Sequence, residues 1–145
     1  MMELNLIQLT DKNEICETYD IYKHCMYMPT EEKFNKKIDT FLNDDSVKIF
    51  ACLYQKEIRG VIVVAFLEQY KIEIMGIAAD STARNKGIGS YMINCLVDEY
   101  GLLSVLAETD NDAVGFYRKN GFDITELSKS YDGENVVRYK CELVK

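Results

Sequence analysis

Near Gly87 the apolar residues of this chain change their spacing. Residues 70–79 carry the short period of a β-strand. Beyond Gly87, Ile88, Tyr91, Met92, Cys95 and Leu96 recur at i, i+3, i+4, i+7 and i+8, which places one apolar stripe on a helix ending near Gly101. Between the two lies a polar joint that contains Gly87 and Gly89. A strand that runs through such a joint into an amphipathic helix belongs to a chain that packs helices on a sheet, and it sets a helix N-terminus at a strand end.

That joint reads Asp80-Ser81-Thr82-Ala83-Arg84-Asn85-Lys86-Gly87-Ile88-Gly89-Ser90. The first N–H groups of a helix have no intrahelical acceptor and carry a partial positive charge, so they suit an anion. Gly87 and Gly89 remove the Cβ atoms that would hold a phosphate away from the backbone, Arg84 and Lys86 add charge, and Ser90 adds a hydroxyl donor. Two other phosphate motifs fit worse. A dinucleotide fingerprint needs a third glycine where Met92 stands, and a P-loop needs Gly-Lys-Ser/Thr where Ile88 follows Gly87.

The rest of the chain fits one mixed α/β domain over residues 1–145. Residues 3–9 read as a first strand. Asp11 caps a helix to about residue 28, with Ile15, Tyr19, Tyr22 and Met26 on one face, and a second helix starts at residues 29–32 with Phe34, Ile38, Phe41 and Leu42 apolar. Residues 47–54 and 58–67 flank a polar link suited to a hairpin, and residues 70–79 form the next strand. Residues 61–67 are almost continuously apolar, as in a central strand covered on both faces. A strand at 102–107, a short helix at 110–120 stopped by Gly121, and strands at 123–130 and 135–143 complete the order β-α-α-β-β-β-α-β-α-β-β.

Composition narrows the partners. With 17 Lys and Arg against 24 Asp and Glu the net charge is −7, which repels nucleic acid and weakly attracts cationic small molecules. The five cysteines are odd in number, form no Cys-x-x-Cys pair and accompany a single histidine, His24, so neither a disulfide framework nor a zinc site is expected, and no metal is implied. Reduced cysteines, an amino terminus without a basic apolar leader, and no apolar run of membrane-spanning length make a cytoplasmic protein with no membrane partner the expectation.

The pattern Arg84-x-x-Gly87-x-Gly89 after a strand resembles the pyrophosphate-binding motif of the GNAT superfamily of acyl-CoA N-acyltransferases. About 30 residues further on, residues 108–122 resemble the family's next strand-helix-strand signature, with Ala113, Tyr117 and Gly121-Phe122 at matching positions. The resemblance implies a mostly antiparallel central sheet with a splayed strand pair and helices on both faces. It also implies acetyl-CoA as co-substrate, held by Ile77, Ala78, Ala79, Arg84, Asn85, Lys86, Gly87, Ile88, Gly89, Ser90, Asp110, Asn111 and Tyr117. Asp110 stands where many members have Asn. A carboxylate caps a helix but cannot donate as an amide does, and Asn111 is the neighbouring substitute.

Acyl transfer from a thioester needs a neutral nucleophile, a polarised carbonyl and an acid for the leaving thiolate. By the same resemblance Tyr117 is the acid, and a backbone N–H on residues 74–79 polarises the carbonyl, with Gly76 compatible with a β-bulge there. Glu73 is the first candidate for the base that accepts the amine proton, and Glu108 the second. His24 lies in the first helical region, far from both motifs, and reads as a structural or surface residue. The expected reaction moves an acetyl group to a primary amine of a small molecule or peptide by direct attack. The competing readings are a non-catalytic acyl-CoA-binding regulatory module and a nucleotide-binding domain. Exposed strand edges near the carboxyl terminus leave room for a homodimer.

Overall fold

A computed structural model describes residues 3–80, 87–131 and 133–145. Seven strands form one sheet: β1 (Leu4–Leu9), β2 (Val47–Tyr54), β3 (Glu57–Glu68), β4 (Lys71–Ala79), β5 (Ser104–Thr109), β6 (Asp123–Tyr131) and β7 (Glu134–Val144). Their spatial order is β1-β2-β3-β4-β5-β7-β6, antiparallel throughout except for β4 beside β5. The mixed, mostly antiparallel sheet is therefore as expected from the sequence.

Two apolar clusters lie on opposite faces. On one face α4 (Ile88–Tyr100) lays Ile88, Met92, Ile93 and Leu96 over Ile62, Val64, Ile72 and Val105, and α5 (Val114–Lys119) adds Tyr117. On the other face α1 (Lys12–Cys16), α2 (Tyr19–Tyr22) and α3 (Glu31–Leu42) cover Ile49, Ala51, Val61, Val63 and Ala78. Residues 61–64 are all buried because alternate side chains enter the two clusters. Helices on both faces follow directly from that continuous apolar run.

The first helical region departs from the expected single helix. It breaks into α1, α2 and a 3-10 turn at Lys23–Cys25, after which Met26 is extended. At the break the Thr18 hydroxyl donates to the Ile15 carbonyl at 2.7 Å, and the Thr18 N–H bonds the same carbonyl at 3.0 Å. Both take a carbonyl that a continuing α-helix would use four residues on. The third helix forms as expected: the Thr30 hydroxyl accepts from Lys33 N–H at 3.1 Å, and Phe34, Ile38 and Phe41 are buried. The last helix is shorter than its sequence pattern, because residues 110–113 form a turn in which the Asp110 carboxylate accepts from the N–H groups of Asp112 and Ala113, each at 3.1 Å.

Candidate functional site

Strands β4 and β5 pair over three residues only: Lys71 with Ser104, Ile72 with Val105, and Glu73 with Leu106. Beyond Glu73 the two strands separate, so their facing main-chain groups border a slot between them. The splayed pair expected from the sequence is thus present.

The opposite edge of β4 shows where the parting begins. Val64 pairs with Ile74 and Val63 with Gly76, which leaves Met75 as an extra residue, a β-bulge. Gly76 sits in this bulge for a steric reason. A Cβ there would lie 2.3 Å from the Tyr22 hydroxyl and 2.7 Å from two carbons of its ring. Tyr22 is 2% exposed, so its ring has nowhere to retreat. Its phenol is raised well above the ordinary tyrosine value, chiefly by burial.

At the wide end of the slot stands the start of α4. Gly87 is its N-cap with φ 72°, in the left-handed region that glycine enters without steric cost. The first bond closing the helix runs from Tyr91 N–H to the Gly87 carbonyl at 2.9 Å. The N–H groups of Ile88, Gly89 and Ser90 therefore have no main-chain acceptor among the described residues. Gly89 leaves room for a ring: a Cβ there would meet two carbons of Phe116 at 2.8 and 2.9 Å. Upstream the joint is anchored where Asp80 N–H bonds the Arg59 carbonyl at 2.7 Å and the Asp80 carboxylate pairs with the Arg59 guanidinium at 2.8 Å. Arg84, Asn85 and Lys86 lie outside the described residues.

Tyr117 projects from α5 into the cluster beneath the slot and is 5% exposed. Its ring is held edge-on by Phe116 and Phe122, with both centroids 5.2 Å away. Burial first, then the sulfurs of Cys141 and Cys25, raise its phenol above the ordinary value, so the group holds its proton through neutral pH. The hydroxyl makes no hydrogen bond to the described residues.

Glu73 and Glu108 differ in their partners. The Glu108 carboxylate is paired with Lys129. Glu73 has no partner among the described residues and sits, half-buried, at the last paired position before the slot. Ile72 and Ile74 enter the α4 face of the core, so Glu73 between them points to the face that carries α2. Asp110 spends its carboxylate on the turn before α5, while the Asn111 oxygen accepts from Tyr139 and its amide donors meet no acceptor among the described residues. His24 is exposed in the 3-10 turn.

Sequence reasoning placed Tyr22 in a core stripe, as its burial bears out, but did not single out Cys25 or the contact of the Tyr22 ring with β4. Cys25 follows Tyr22 by one turn, and its sulfur lies 3.1 Å from the Tyr22 carbonyl. Although the residue as a whole is exposed, the thiol is turned inward. Burial pushes its pKa up to about 11, against the opposing pull of the Ile77 N–H, the Tyr22 hydroxyl and Lys37. A mid-strand glycine in an otherwise bulky strand was the one signal that a ring must cross β4 at Gly76.

A slot between parted strands, closed at one end by the first amides of α4, suits an extended substrate with an anionic end. Solved structures share the fold. A GNAT family acetyltransferase from Elizabethkingia anophelis with acetyl-CoA bound is 21% identical, with a TM-score of 0.70 and 98% of each chain covered. The ribosomal-protein-S18-alanine N-acetyltransferase from Escherichia coli is 16% identical, with a TM-score of 0.74, covering 98% of this chain and 94% of that one. A spermidine N-acetyltransferase chimera from Vibrio cholerae and hSSAT is 16% identical, with a TM-score of 0.75, covering 97% of this chain and 95% of that one. No curated protein matches the chain in sequence. The profile of the acetyltransferase (GNAT) family matches residues 15–122, which takes in α2, the bulged strand, the helix start and Tyr117, and the chain belongs to that family.

Proposed function

We propose that this protein is an acetyl-CoA-dependent N-acetyltransferase that acetylates a primary amine of a small molecule or peptide by direct attack. The observation that carries the reading is the parting of β4 from β5 after Glu73, with the N–H groups of Ile88, Gly89 and Ser90, which have no main-chain acceptor among the described residues, at its wide end. The pyrophosphate of the coenzyme meets those amides, supported by Arg84, Asn85, Lys86 and the Ser90 hydroxyl. The pantetheine arm lies along Ile77, Ala78 and Ala79, with Asn111 as a donor beside it and Asp110 holding the turn.

In this mechanism the amine nitrogen attacks the thioester carbonyl carbon, whose oxygen accepts from an amide freed at the bulge between Met75 and Ile77. The C–S bond breaks as the C–N bond forms. Tyr117 gives its proton to the departing sulfur, a role that suits a phenol kept neutral by burial. Glu73 takes the proton lost by the amine. Glu108 is the weaker candidate because Lys129 already pairs its carboxylate.

The net charge of −7 supports a cationic acceptor, and a spermidine acetyltransferase and a ribosomal-protein acetyltransferase lie among the structural relatives. Five free cysteines fit a reducing compartment such as the cytoplasm. The open outer edge of β6 supports pairing of two copies. The test is titration calorimetry with CoA followed by an acceptor screen read as thiol release. Saturable binding with amine-dependent thiol release supports the reading. Absence of heat overturns it, and binding without turnover on any amine favours an acyl-CoA-binding regulatory module.

A further inference from the structure

We infer that Cys25 is the residue that selects the acyl group, its thiol forming the wall against which the acetyl methyl stops. The inference rests on the proposed use of the slot. Four observations place the thiol at the acyl end. The Tyr22 ring crosses β4 at the bulge residue Gly76, and Cys25 lies one turn beyond it with its sulfur 3.1 Å from the Tyr22 carbonyl. The 3-10 turn that carries Cys25 packs against β4, which brings the sulfur to the Ile77 N–H next to the bulge. The Tyr117 phenol also feels that sulfur, although Tyr117 belongs to the opposite face of the sheet. The sulfur thus lies at the bulged stretch of β4 that borders the slot, near enough for its charge to reach Tyr117 across the sheet.

The chemistry of the thiol fits a wall rather than a nucleophile. Donating to the Tyr22 carbonyl, it presents neutral, polarisable sulfur to whatever enters the slot. A thiol that holds its proton at neutral pH attacks a thioester poorly, which leaves the acetyl group to the incoming amine. Behind it, the ring of Tyr22 is fixed between Gly76 and Phe34 and backs the turn that carries the thiol. An acyl chain longer by one methylene collides with sulfur.

Steady-state rates with acetyl-CoA and propionyl-CoA on one amine acceptor test this, in wild type and in Cys25→Ala. The expected result is a rise of about tenfold in the propionyl-to-acetyl ratio of kcat/KM, the scale on which one methylene is discriminated in a tight pocket. An unchanged ratio with acetyl turnover intact overturns the inference while leaving the acetyltransferase reading in place. Failure of wild type to bind CoA overturns both. Should the variant fold poorly, N-ethylmaleimide labelling of wild type, read at Cys25 by peptide mass spectrometry, gives an independent answer. Acetyl-CoA should protect Cys25 several-fold better than free CoA, which fills the slot but lacks the acyl group, and equal protection by the two counts against the wall.

Discussion

Replacing Tyr117 by phenylalanine removes one oxygen and leaves the ring between Phe116 and Phe122 untouched, with both centroids 5.2 Å away. The hydroxyl bonds no described residue, so its loss strands no partner. Truncations that strand a buried partner cost about 1–3 kcal/mol, and this one avoids that penalty. The stability of Tyr117→Phe should therefore stay within about 1 kcal/mol of wild type. The rate should not. A positioned general acid contributes roughly 10²–10⁴-fold, which at about 1.36 kcal/mol per tenfold is about 2.7–5.4 kcal/mol of transition-state stabilisation. Calorimetric CoA affinity should change little, because the amides proposed to hold the pyrophosphate belong to a different element. Thiol-release kinetics, thermal melts and CoA titration on the same preparation separate the three quantities. A kcat within twofold of wild type would refute the acid role. A fall in activity matched by a large drop in Tm would show that Tyr117 acts only through packing.

Three further outcomes follow from the same geometry. Glu73→Gln should lower kcat at neutral pH by about tenfold or more, whereas Glu108→Gln, which only breaks the pair with Lys129, should leave kcat nearly unchanged; the reverse ranking would exchange their roles. Gly76→Ala forces a methyl to 2.3 Å from the Tyr22 hydroxyl. Overpacking of this kind costs about 1–3 kcal/mol, so a denaturant melt should show it, and Tyr22→Phe in the same chain should recover part; equal stability of Gly76→Ala and wild type would mean that the ring does not cross the strand there. Stability should also fall in alkaline solution. Burial raises the Cys25 and Cys52 thiols from 9.0 to about 11, so the folded chain holds protons that the unfolded chain releases. The contribution is complete below pH 9 and is lost as pH rises towards 11. Melts across that window should drop less for Cys25→Ala than for wild type, and parallel curves would count against an inward-facing thiol.

Much of the fold was readable because periodicity and burial agree. The switch at Gly87 locates α4 within a residue, and the apolar run at 61–67 called for a central strand covered on both faces, which holds over 61–64 while Leu67 is exposed. The first helical region was misread because its apolar spacing persists through Thr18, while the break depends on a hydroxyl taking the Ile15 carbonyl, which period does not report. The length of the last helix was overestimated for a related reason: Asp110 stabilises a turn that precedes the helix rather than the helix itself.

The site divides along the same line. The amides of Ile88, Gly89 and Ser90 and the ring of Tyr117 belong to local motifs, so short sequence patterns carry them. Tyr22 and Cys25 reach the slot only because α2 lies across β4, a contact between segments separated by some fifty residues with no shared spacing. Its only trace in sequence is Gly76, a missing side chain where a neighbouring element supplies one. A glycine in the middle of a buried strand therefore deserves two readings together: a bulge in the backbone, and a ring from elsewhere lying against it. In this chain both hold at one residue. The bulge lies where β4 borders the slot, and the ring that fills the space left by the absent Cβ is followed, one turn later, by the thiol proposed to bound it.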